Sequence, residues 1–221
     1  MSFDGVVTDA DSQFLLPVAD LLKVALARLQ RQAQYQRVLA KGGRRSDALR
    51  HWMDQATGCI TALARPEALF MPVTTRLVPD GVRVADRVTL DGADIAQDVR
   101  QGAQVTAYLL TLNYAQPQAF EWLGHEYGAH HVQSDLGSEV LFALGREAHR
   151  VLRMRSPAGR LRRVPVLASA QCGQRQAWDP ARVQALLTVF DVVNPGVQVT
   201  DTGCFTPLNS LLGLALHAPA R

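Results

Sequence analysis

The chain has 221 residues, 48% of them hydrophobic and 19% charged, with 23 Lys and Arg against 20 Asp and Glu for a formal net charge of +3. That composition excludes a wholly disordered chain and supplies enough apolar surface for a core that buries roughly 70% of the unfolded area. No apolar run reaches the ~18 residues of a membrane helix, and the N-terminal MSFDGVVTDAD is acidic, unlike a signal peptide, which predicts a cytoplasmic protein.

Leu15, Val18, Leu21, Leu22, Ala25 and Leu29 recur close to every 3.6 residues and predict a helix over 12–40, with Asp11 or Ser12 as its cap. The loop Lys41-Gly42-Gly43-Arg44-Arg45 ends it. Ser46 then caps a second helix over 47–63, which Arg65-Pro66 breaks. A strand follows over 69–78 with Pro72 at a sheet edge, then a Pro79-Asp80-Gly81 turn and an alternating strand over 82–90. Residues 94–100 form a short helix and 105–112 the clearest buried strand. The stretch 117–131 is helical or mixed. Asp135 caps a long helix over 136–154, and 160–178 is irregular. Asp179-Pro180 opens a helix to about residue 193, with Pro in its first turn. Two strands, 197–200 and 211–217, pair antiparallel with each other. Strands and helices segregated in this way, without βαβ regularity, predict an α+β fold.

Chemistry-bearing patterns are sparse. Cys59, Cys172 and Cys204 are odd in number with no CxxC, against a disulfide framework or structural zinc. His125, His130 and His131 lack a standard metal-ligand spacing, and neither a Gly-rich phosphate loop nor a nucleophile elbow is present. Two basic clusters stand out: Lys41, Arg44 and Arg45, and then Arg153, Arg155, Arg160, Arg162 and Arg163. Each reads as a solvated face or as a dock for an acidic partner or nucleic acid. Aromatics do not interleave with them, against single-strand stacking.

From about residue 52 to 218 the order of segments resembles the activation (reactivation) domain of cobalamin-dependent methionine synthase and its short stand-alone relatives. Leu90-Asp91-Gly92-Ala93-Asp94-Ile95, the strand end Ala107-Tyr108-Leu109-Leu110-Thr111-Leu112-Asn113 and the helix opening Asp135-Leu136-Gly137-Ser138 carry the likeness. So do Gly196-Val197-Gln198-Val199-Thr200 and Pro207-Leu208-Asn209-Ser210-Leu211-Leu212-Gly213. The resemblance implies a helmet-like α+β domain, over 52–221, with a bent antiparallel sheet flanked by helices, preceded by an N-terminal helical segment, 1–51. It implies a domain that closes over a cobalamin carried by a partner, a corrinoid-binding protein or methionine synthase module. It further implies that the domain holds S-adenosylmethionine in line with the cobalt for reductive remethylation, with flavodoxin or ferredoxin as donor. Such a domain contributes proximity rather than acid–base chemistry.

By the same resemblance the cofactor-binding positions are Asn113, Asp135, Ser138, Cys172, Gly173, Pro207 and Ser210. Each has a plainer reading: Asp135 as a helix cap, Ser138 as a first-turn residue, Pro207 and Ser210 as shapers of a connection, Asn113 as a turn residue. Cys172 reads either as an incidental small residue or as a reactive thiol. The sequence departs from the family where an R-x-x-x-G-Y loop binds the methyl donor. The matching stretch has Ala168 for the Arg and Gly173 for the Tyr, the strand-end glycine is Asn113, and Arg162, Arg163 and Arg175 lie off that spacing. The alternative function is a non-catalytic interaction module of the same fold that has lost S-adenosylmethionine binding.

Overall fold

The computed structural model describes residues 6–8, 13–91, 93–155, 159–164, 168–169, 177–193 and 195–218. In chain order the elements are β1 (Val6–Thr8), β2 (Gln13–Leu15), α1 (Val18–Leu29), α2 (Ala33–Lys41), α3 (Gly43–Leu63), β3 (Glu67–Val73), β4 (Thr75–Val78), β5 (Gly81–Val84) and β6 (Val88–Leu90). They continue with α4 (Ala93–Arg100), β7 (Gln104–Thr111), α5 (Gln116–Leu123), α6 (Tyr127–Met154), β8 (Arg160–Val164), β9 (Ala168–Ser169) and β10 (Ala177–Trp178). The last are α7 (Pro180–Leu187), a 3-10 turn (Thr188–Val193), β11 (Gln198–Val199), β12 (Phe205–Thr206) and β13 (Ser210–Ala218). The fold is α+β, as the segregated pattern predicts.

A six-stranded antiparallel sheet in the order β1-β2-β3-β7-β13-β8 is the centre of the molecule. Its two faces follow from the period-2 alternation of its strands. On β7, Val105, Ala107 and Leu109 face one core while Leu110 faces the other. Residues 69 against 68 and 70 on β3, and 212, 214 and 216 against 215 on β13, divide the same way. One face is covered by α1, α2, α3, α5 and α6. The other is covered by the small β4-β5-β6 sheet with α4, α7 and the 3-10 turn. Both faces of the central strands are therefore dry, which is why β13 reads Ser-Leu-Leu-Gly-Leu-Ala-Leu-His-Ala with almost no polar residue.

Several expectations need correction. The helix expected over 12–40 is interrupted twice. Gln13–Leu15 is a strand that pairs with β3, and the helix then breaks at 30–32 between α1 and α2. The residue preceding α1 is Pro17, five positions after Ser12, and it makes no side-chain cap bond. Ser46 does not cap α3. It lies in that helix's first turn, fully buried, with an Oγ that has no hydrogen-bond partner among the described residues. The strand over 69–78 is two strands parted at Thr74, with Pro72 past the residues that pair with β2. The strand over 82–90 is a hairpin, bent where Ala85 and Asp86 take φ of 53° and 54°.

Asp135 caps nothing, because α6 begins eight residues earlier at Tyr127. The apolar stripe already recurs at Ala129, Val132 and Leu136, one face of a single 28-residue helix. The stretch 160–178 is not wholly irregular, since Arg160–Val164 is an edge strand on β13. Val197–Thr200 does not pair with 211–217. Gln198–Val199 instead joins Phe205–Thr206 in a two-stranded ribbon, and β13 pairs with β7 and β8. Val105–Leu112 and Leu211–His217 do lie side by side in the central sheet.

Candidate functional site

Three of the sequence segments that carry the family resemblance meet at one end of the β7–β13 pair. Thr111 closes β7, and Asn113 follows it with φ of 54°. Asn is among the few non-glycine residues that visit this left-handed region readily. The turn after β7 therefore accommodates Asn113 at little strain. The Asn113 backbone N–H donates to Thr111 Oγ1 at 3.0 Å. Ser210 opens β13 opposite Thr111; its Oγ lies 3.0 Å from Thr111 Oγ1 and 2.8 Å from the Pro207 carbonyl oxygen. The Thr206–Pro207 peptide is cis.

The third segment arrives from α6. A Cβ at Gly137 would lie 2.9 Å from Asn209 Nδ2 and 3.2 Å from the Tyr114 hydroxyl, so a side chain there would displace the Asn209 amide. The Tyr114 hydroxyl accepts from Gln133 Nε2 at 2.6 Å and from Asn209 Nδ2 at 2.8 Å. Asn209 also accepts from the Leu112 backbone N–H at 3.0 Å through its carbonyl oxygen. Burial pushes the Tyr114 hydroxyl up to about 12, with the nearby Cys59 adding to it and the Gln133 and Asn209 bonds opposing. This tyrosine is a neutral bonding group, not a proton donor near neutral pH.

Asp135 and Ser138 belong elsewhere. Asp135 accepts from the Tyr35 hydroxyl at 2.6 Å and from Gln34 Nε2 at 3.3 Å, tying α2 to α6. Ser138 Oγ donates to the Ser134 carbonyl oxygen at 3.1 Å, a bond within its own helix. Cys172 and Gly173 lie outside the described residues, with most of the stretch matching the family's ligand loop. Among the described residues, no three His, Cys, Asp or Glu side chains converge as metal ligands. His130 instead lies 2.8 Å through Nε2 from the Gly124 carbonyl oxygen and packs on Phe120 at 4.5 Å.

The structure is similar to a crystal structure of the MetH reactivation domain bound to AdoHcy, with a TM-score of 0.58. The sequences are 13% identical, and the match covers 95% of this chain and 78% of that one. At that identity the likeness shows the fold. No protein-family model and no curated protein sequence matches the chain.

Whether these residues could cradle a ligand is answered by where their polar atoms go. Thr111, Ser210, Asn209 and Tyr114 bond to one another or to nearby backbone, and Gln133 donates to Tyr114 while its buried Oε1 has no hydrogen-bond partner among the described residues. Asn209, Ser210, Thr111 and Gln133 are buried. The clefts of about 580, 290 and 390 Å³ are lined by none of Asn113, Asp135, Ser138, Pro207 and Ser210. The cluster thus fits a brace that fixes the strand ends against α6 rather than a ligand pocket. Of the family-like segments, Gly196-Val197-Gln198 does border a cleft, the one of about 290 Å³ with Leu187, Asp191 and Pro195.

Sequence reasoning missed Tyr114, Gln133 and Thr111. Gln133 carried a signal: it is a polar residue on the buried stripe of α6, between Ala129 and Leu136, where an amide requires a partner.

Proposed function

We propose that this protein is a reactivation-domain-like accessory that docks on a corrinoid-carrying partner, and that the partner completes the S-adenosylmethionine site. The observation that supports it is the convergence of Thr111–Asn113, Gly137 and Pro207–Ser210 at one strand end, within a fold similar to the MetH reactivation domain. In this reading residues 52–221 form the activation-domain-like unit, and 1–51 add the strands β1 and β2 to its central sheet and α1, α2 and the start of α3 to its helical layer. The bound donor would supply a methyl group. This chain's residues would hold the sheet end and α6 in fixed relation, and no step of the transfer is assigned to any of them.

The ligand loop lacks the family's Arg and Tyr. A charge-assisted hydrogen bond contributes about 1.5–3 kcal/mol and an aromatic contact roughly 1 more. Losing both weakens binding by about two to three decades. The second reading, a non-catalytic interaction module, is favoured by the mutual bonding of Tyr114 with Asn209 and of Thr111 with Ser210.

Calorimetry with S-adenosylmethionine, on the isolated chain and on the chain mixed with a cobalamin-loaded methionine synthase module, separates them. We expect millimolar or undetectable binding alone and clear binding in the mixture. A dissociation constant of about 10 μM or tighter for the isolated chain overturns the need for a partner. Association with the module that leaves the methyl donor unbound supports the interaction module instead.

A further inference from the structure

The cleft of about 580 Å³ between α2, α3 and α6 has no part in the reading above. Its size is that of a small-molecule site, for which roughly 300–1,000 Å³ is usual. Val38 of α2, Leu49 and Trp52 of α3 and Val132 of α6 give it an apolar wall. Trp52 lies flat where α6 carries Gly128, and a Cβ there would strike the indole ring. The indole N–H donates to Glu126 Oε2 at 3.3 Å, which fixes the ring. Gly128 thus lets the Trp52 ring pack against α6 as part of the cleft wall.

The charge at the mouth is one-sided. Arg44 and Arg45 line the cleft and have no ion pair or hydrogen bond among the described residues. In the other basic cluster Arg153 and Arg160 likewise have no ion pair among the described residues, but Arg162 and Arg155 are engaged. Arg162 pairs with Asp94 and, at 3.0 Å, with Asp98, while Arg155 lies over the Phe70 ring at 5.1 Å. No carboxylate lines the cleft, and those beside it have partners: Asp47 has Arg50 at 3.3 Å, Glu126 has the Trp52 indole at 3.3 Å, and Asp135 has the lining Tyr35 at 2.6 Å and Gln34 at 3.3 Å. The two arginines also sit in the first turn of α3, which contains no acidic residue. Cations there oppose the helix dipole, which favours anions at that end. Helix stability therefore does not account for their placement.

We propose that this cleft binds an anionic amphiphile, a carboxylate on a hydrocarbon chain, with the head group between Arg44 and Arg45 and the chain against Trp52, Leu49 and Val132. Arginine suits the head group because its planar fork matches a carboxylate. The site is separate from the strand-end cluster and does not depend on the corrinoid reading.

The test is calorimetry of the full chain with decanoate, below its micelle concentration, against decanol as the neutral counterpart. Expected are saturable binding of one decanoate per chain, decanol binding at least about tenfold weaker, and a double variant Arg44→Gln/Arg45→Gln that holds decanoate no better than decanol. One decade corresponds to about 1.4 kcal/mol. Ala48→Trp, which fills the cleft, should abolish both; the arginine variant, altered only at exposed positions, keeps the test decisive if that one does not fold. Absent saturable binding, equal affinity for decanoate and decanol, or binding that survives the arginine variant overturns the proposal. So does a dimer in sedimentation that decanoate fails to dissociate, since the cleft would then seat a second copy.

Discussion

At Tyr114 a single hydroxyl oxygen accepts from two amides, Gln133 at 2.6 Å and Asn209 at 2.8 Å. Tyr114→Phe removes the acceptor and leaves two buried donors without it. An unsatisfied buried donor costs about 1–3 kcal/mol, so the variant should lose at least that much in urea denaturation. A change under about 0.5 kcal/mol would show that the amides find other partners and that the brace is dispensable. Part of this cluster could be found from the sequence. Asn113, Pro207 and Ser210 stand in segments that share an order with a known family. Tyr114 does not, since one tyrosine after a strand end has no pattern of its own. Its role comes from residues 19 and 95 positions away, and no local rule reaches that far.

On the scale of elements, the long helix α6 decides most of the helical layer. It meets α1 and α3 along its length, and Glu139 on it takes Arg28 of α1 at 3.2 Å and Gln32 at 3.1 Å. Leu29 closes α1 and is fully buried in the core on this face. Leu29→Ala should destabilise by about 2–5 kcal/mol, read as a lowered thermal midpoint. A loss below about 1 kcal/mol would mean that α1 only rests on the surface. The stripe of α1 was readable because its leucines recur at the helical period. Its break at 30–32 was not, because Gln30, Arg31 and Gln32 are ordinary helix formers and no Gly or Pro marks the interruption. Asp135 misled for a related reason. A carboxylate before an apolar run looks like a cap, yet the helix runs through it from Tyr127, with Gly128 admitting the Trp52 ring.

For the whole molecule, acid is the condition that exposes its weakest electrostatics. Burial holds His217 below its ordinary value of 6.5, with Arg155 adding to it. Burial, then Arg163 and Arg153, does the same for His149. A histidine whose folded pKa is depressed contributes stability that is present above the unfolded pKa and is lost as pH falls through the folded one. The thermal midpoint should therefore decline as pH is lowered below about 6.5. A double variant, His149→Gln/His217→Gln, should flatten that decline between about pH 6.5 and 5, above the range where carboxylates protonate. A parental midpoint that holds level or rises over that interval would overturn this account.

The sequence by itself determined the fold class, the apolar strands 105–112 and 211–217, the α4 helix with its Gln101-Gly102 stop, and the Asp179 cap of α7, whose side chain accepts from the Arg182 backbone N–H at 3.2 Å. All of these rest on local spacing, and spacing is a property of neighbours in the chain. Only the tertiary structure decided which strands pair, that Gln198–Val199 joins Phe205–Thr206 rather than β13, and that Gly137 lies against Asn209 and Tyr114. It also separated the two basic clusters, leaving Arg44 and Arg45 at the mouth of a cleft while Arg162 is held by Asp94 and Asp98. The reason is that strand pairing and charge pairing depend on distances in space between residues tens of positions apart. Two arginine clusters of similar composition therefore read alike in the chain, and only packing gives Arg162 of one cluster its acidic partners.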